Sequence, residues 1–78
     1  MIYVSGIKAI EQVAELVKTD REFMKKITEL DKRYPEYTLF PDSYKDAFSL
    51  RIVYESGDKT IWGGLVRDQF DGEWCIHT

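Results

Sequence analysis

Residues 48–66, FSLRIVYESGDKTIWGGLV, decide the architecture of this chain. Phe48, Leu50, Ile52 and Tyr54 alternate with Ser49, Arg51, Val53 and Glu55, and a period of two sends the two sets to opposite faces of an extended segment. The pattern is that of a half-buried strand. Gly57 and Asp58 suit a two-residue turn of the type that begins with glycine. Folding the chain back there pairs Tyr54 with Ile61, Ile52 with Gly63 and Leu50 with Leu65 on one face, and Val53 with Trp62 and Glu55 with Thr60 on the other. A one-residue slip would exchange the faces, so the apolar matches on both sides support this hairpin independently of the turn.

The chain beyond residue 66 offers two registers for a second hairpin. Asp71 and Gly72 suit a type I′ turn, which pairs Gln69 with Trp74, Asp68 with Cys75 and Val66 with His77. A five-residue loop over 68–72 instead pairs Val66 with Trp74 and Gly64 with Ile76. The two registers place Trp74 on opposite faces. Gly63 and Gly64 have the freedom to form a bulge or bend between the hairpins.

Upstream the period changes from two to that of a helix. Met1 to Val4 reads as a short strand, and Ile7, Ile10, Val13, Ala14 and Val17 recur at helical spacing behind Ser5, a candidate N-cap. Thr19, Asp20, Arg21 and Glu22 match a capping box with Thr19 as the cap. A second stripe then runs through Phe23, Ile27, Leu30 and Tyr34 until Pro35, leaving Asp31 off the stripe and in solvent. Residues 35–47 hold both prolines together with Tyr37, Phe40 and Tyr44, and read as a loop whose aromatics cap the core or form a recognition surface. The expected fold is α+β, a single domain over 1–78 in the order β-α-α-β-β-β. Two helices lie on one face of a small antiparallel sheet that ends in a three-stranded meander.

Composition narrows the function classes. A chain of 78 residues supplies one core, and 44% hydrophobic with 32% charged residues describes a globular domain. One cysteine permits no internal disulfide and, with one histidine, leaves too few soft ligands for a zinc site, so neither metal nor cofactor is expected. No apolar run reaches the roughly 18 residues of a membrane span, and the start lacks a basic secretion leader, so a cytoplasmic protein without membrane contact is expected. Residues 1–34 carry seven Lys/Arg against six Asp/Glu and residues 35–78 carry four against eight. An acidic C-terminal half disfavours direct nucleic-acid binding, which needs clustered cations.

The last nineteen residues contain both tryptophans, Cys75 and His77. Cys75 and His77 share a strand face, and the type I′ register adds Asp68 opposite Cys75. No glycine-framed nucleophile turn accompanies them, so no catalytic residues are expected and the protein is read as a non-enzyme. Asp68, Asp71 and Glu73 lack the alternating ligand spacing of a calcium loop. With helices on one face, Val53, Trp62 and Val66 lie on the other beside Arg51, unless the 35–47 loop or the first strand covers them. Uncovered, they form a partner-binding patch, with Asp68, Asp71 and Glu73 as an acidic rim. These features point to a small protein that binds and blocks another. The expected kind is a phage or mobile-element inhibitor of a bacterial host or defence enzyme, anti-CRISPR-like or immunity- or antitoxin-like. Its target is expected to be a nuclease or other nucleic-acid-handling enzyme, whose basic site an acidic rim suits. The alternative is a homodimeric module that binds a small molecule or a protein.

Overall fold

Strands from the deciding stretch occupy the middle of the sheet. The computed structural model describes residues 2–54 and 59–77. Its elements run β1 (Ile2–Val4), α1 (Ile7–Thr19), α2 (Arg21–Arg33), β2 (Glu36–Pro41), β3 (Ala47–Val53), β4 (Thr60–Arg67) and β5 (Trp74–His77). The strands stand in chain order in one five-stranded sheet, with β1 parallel to β2 and every other pair antiparallel. The fold is α+β, and β3, β4 and β5 form the expected antiparallel meander. The sheet as a whole is mixed, because the two helices form the crossover that a parallel β1–β2 pair requires.

Residues 36–41, expected as part of a loop, form β2. Tyr37 and Leu39 point into the core, fully buried, while Thr38 and Phe40 point the other way. Apolar side chains on both faces blur the alternation, and the prolines do not interrupt the ladder: Pro35 precedes the strand and Pro41 is its last residue.

Between β3 and β4, Ile52 pairs with Ile61, Leu50 with Gly63, Arg51 with Trp62 and Val53 with Thr60. Each β3 residue thus meets a partner two positions from the expected one, a shift that leaves every side chain on its expected face. The expected Gly57–Asp58 turn lies outside the described residues, and Thr60, expected opposite Glu55, pairs with Val53 instead. Gly63 and Gly64 sit in an unbroken ladder, without a bulge.

The core fills the space between the helices and one face of the sheet. Phe23, Ile27 and Leu30 of α2 meet Tyr37, Leu39, Phe48, Leu50, Ile52, Leu65 and Trp74 of the sheet. Phe23, Phe48 and Trp74 form an aromatic cluster, with Phe23 edge-on to Trp74 at 5.0 Å between centroids. The α2 stripe is buried as its spacing predicts, but α1 is rotated from its expected seat. It buries Ala9 and packs Val13 and Leu16 on the core, leaving Ile7 at 77% and Ile10 at 51% exposure. The helix is apolar over a wide arc, so its spacing alone did not select the inward side. No helix among the described residues is long and apolar enough to cross a membrane.

Both expected helix caps move by one residue. Ser5 donates its N–H to Leu39 O at 2.9 Å, extending the β1–β2 ladder, and Gly6 caps α1 at φ +93°, a conformation that favours glycine. Thr19 donates its hydroxyl to Glu15 O inside α1, and Asp20 caps α2 by accepting from Phe23 N at 3.1 Å. The second Asp20 oxygen accepts from the Trp74 indole N–H at 3.0 Å and lies 3.8 Å from Arg67 Nη1. Asp31 is exposed, as expected, and also accepts the hydroxyl of buried Tyr37 at 3.0 Å. Burial first, then that hydrogen bond and the Asp31 charge, push the Tyr37 phenol well above its ordinary value of 10.0.

Burial raises the Asp20 carboxyl. Hydrogen bonds from Trp74 and Phe23, the charge of Arg67 and the Glu22 backbone outweigh that effect and hold it below 3.8. A carboxyl depressed in the folded state stabilises above its unfolded value and loses that contribution as pH falls through the folded one. Denaturant titrations should therefore show Asp20→Asn less stable than wild type at pH 7, with the difference shrinking below about pH 4. A difference that stays constant into acid would show that the Asp20 charge is not involved.

Candidate protein-binding face

The sheet face turned away from the helices carries no covering layer among the described residues. Alternation sends Tyr3, Thr38, Arg51 and Trp62 to this face, and strand pairing lines them up in one row across β1 to β4. A neighbouring row runs Phe40, Ser49, Gly64 and His77. Val53 lies beside Glu36 and Thr60 at one end of the face, and Val66 beside Cys75 at the other.

Trp62 is 60% exposed, although its indole is not isolated. Its ring centroid lies 5.7 Å from that of Phe40 at an interplanar angle of 34°. The Arg51 guanidinium carbon sits 6.0 Å from the Trp62 centroid and 5.9 Å from that of Phe40, within cation–π range of both. Arg51 Nη2 donates weakly to Thr38 Oγ1 at 3.4 Å, while its Nε–H is buried with no hydrogen-bond partner. Among the described residues no carboxylate pairs with this arginine.

Of the seven residues singled out in the sequence, Arg51, Val53, Trp62 and Val66 therefore share one open face. Residues 36–41 of the supposed loop do not cover it, being β2 of the same sheet, and from the 42–46 connection Asp42 reaches only its margin, accepting from Ser49 Oγ at 3.4 Å. Asp68, Asp71 and Glu73 lie apart in the hairpin loop between β4 and β5. Two of these carboxylates build the loop: Asp68 accepts from Phe70 N at 2.7 Å and Asp71 from Glu73 N at 2.9 Å. Asp68 and Glu73 close it through Asp68 N–H to Glu73 O at 2.8 Å, with Gly72 at φ +74°.

The loop produces neither expected register. Val66 pairs with Cys75 and Arg67 with Trp74, which keeps the faces of the type I′ arrangement but displaces its pairs by two residues. Trp74 is thereby fully buried against the helices, and Cys75 and His77 fall on the outer face. Val66 takes the place opposite Cys75, so the Cys75, His77 and Asp68 grouping is not assembled. No group of three His, Cys, Asp or Glu among the described residues comes together to hold a metal ion. A cleft of about 390 Å³ lined by Lys45, Asp46, Arg67, Asp68, Gln69 and Gly72 includes no strand residue of the outer face.

Sequence reasoning missed Phe40, Thr38 and Tyr3. Phe40 and Thr38 fell in the supposed loop, and only their alternation with Tyr37 and Leu39 marked them as a second face. It also missed Phe70, fully exposed in the acidic loop, where no periodicity exists to place a side chain. Comparison of the chain with protein-family models, with curated proteins and with solved structures finds no match.

The two tryptophans should separate cleanly in mutagenesis. Trp62→Ala should change unfolding free energy by less than about 1 kcal/mol, whereas Trp74→Ala should cost about 3–5 kcal/mol. Acrylamide quenching checks the same contrast: one accessible indole in the wild type and none in Trp62→Ala.

Proposed function

We propose that this protein acts by binding another protein through the outer face of its sheet, with Trp62 as the anchor, and blocks its partner by covering it. The observation that carries the proposal is the exposed Trp62 ring stacked on Phe40 and Arg51. Tryptophan, tyrosine and arginine dominate the energetic centres of protein interfaces, and hydroxyl residues such as Ser49 and Thr60 suit their margins. Arg51 is the only lysine or arginine among the strand residues facing this way, which favours a protein partner over nucleic acid.

The acidic loop at the end of the sheet speeds encounter with a basic target such as a nuclease. By class analogy, the small size of the protein and its exposed face suit a small cytoplasmic inhibitor: a phage or mobile-element blocker of a host or defence enzyme, anti-CRISPR proteins among them, or an immunity protein or antitoxin. A second reading, self-association, draws on the outer edge of β5, the last strand of the sheet.

Size-exclusion chromatography with light scattering tests these readings against each other. The protein should run as a monomer from low to high micromolar concentration, and so should Trp62→Ala. A dimer that Trp62→Ala dissociates would give the face to a second copy and replace the inhibitor reading. Against its protein partner, Trp62→Ala should weaken binding by about 2 kcal/mol, roughly 30-fold in Kd.

A further inference from the structure

We infer that the partner presents a carboxylate to Arg51, carried on a segment with apolar side chains on either side. The inference rests on the binding face proposed above and names what that face reads. Arg51 lies at the centre of the face, in the row between Thr38 and Trp62. Its guanidinium is held by contact with two aromatic rings, Phe40 and Trp62. Among the described residues its buried Nε–H meets no acceptor, and its one hydrogen bond, to Thr38, is long at 3.4 Å. Glu36 lies one row away on the same face and is not paired with it.

The other arginine on these strands differs. Arg67 is shared between Asp20 at 3.8 Å and Asp46 at 3.7 Å. Among the described residues, Arg51 is held against two rings and has no carboxylate partner. A guanidinium within cation–π range of two rings, with its Nε buried, has less side-chain freedom to lose when it takes a bidentate acceptor. The acceptor that matches its fork in a protein surface is a carboxylate. The rings beside it offer contact to apolar neighbours of that carboxylate, and they exclude water from the charge pair, which strengthens it. A nucleic-acid phosphate is the other anion of suitable geometry. A phosphate backbone is held by several cations, and the strand residues of this face provide one.

The test uses three probes on the 78-residue chain labelled with nitrogen-15. They are a capped pentapeptide with a central glutamate flanked by leucines, its glutamine counterpart, and inorganic phosphate. The readouts are the Arg51 Nε–H and Trp62 indole N–H signals. The glutamate peptide should shift both and bind about tenfold more tightly than the glutamine peptide. Arg51→Gln should erase that preference while the Trp62 signal still moves. Arg51→Lys, which keeps the charge but not the fork, should retain only part of it. Equal binding of the two peptides would overturn the carboxylate while leaving the face in place. Tighter binding of phosphate than of the glutamate peptide would overturn it in favour of a phosphate ligand. No shift of either signal with any probe would remove both the carboxylate and the binding face.

Discussion

One carboxylate joins the helical layer to the last strand of the sheet. Asp20 stands between α1 and α2, and one of its oxygens caps α2 through the Phe23 N–H. The other accepts the indole N–H of Trp74, 54 residues further along the chain. A buried tryptophan needs a partner for that N–H, and a helix entering the core needs its first amide groups satisfied. Asp20 meets both needs at one point, bonded to two members of the Phe23, Phe48 and Trp74 cluster. The register of the second hairpin agrees with this bond, because pairing Arg67 with Trp74 turns the indole toward the helices.

That arrangement divides the sheet between two tasks. The helix-facing side gathers the large buried side chains, so the stability of a small domain is concentrated there. The opposite side needs only to keep its strands paired, and can hold an exposed tryptophan, a stacked arginine and small hydroxyls at little cost to folding. The contrast between Trp74 and Trp62 follows from the register of the strands that carry them. Both are β residues in the same sheet; alternation buries one and presents the other.

Much of this was legible in the residues themselves. Residues 48–54 announce their strand because polar and apolar side chains alternate without exception up to Arg51, and the stripe of Phe23, Ile27 and Leu30 could only be the inner side of a helix. The outer position of Trp62 followed from the same alternation. β2 stayed hidden because Tyr37 and Leu39 on one face and Phe40 on the other leave no polar contrast between faces, and because bracketing prolines resemble a loop. The seat of α1 was illegible for a related reason, since Ala9 and Leu16 compete with Ile7 and Ile10 for the core. The cap moved from Thr19 to Asp20 through a local choice, since the Thr19 hydroxyl turns back to Glu15 O, whereas the hairpin register goes with a contact between residues 20 and 74 that no local pattern contains.

The bond between Asp20 and Trp74 is therefore the point at which the structure is most directly open to contradiction. The measurement is a double-mutant cycle of unfolding free energies for Asp20→Ala, Trp74→Phe and the pair, in denaturant at neutral pH. Because each substitution removes the same hydrogen bond, the two should be coupled by about 1 kcal/mol or more, with the double mutant less destabilised than the sum of the singles. Strict additivity would mean that Asp20 and Trp74 stabilise the fold separately and that the helical layer is not tied to the last strand in this way.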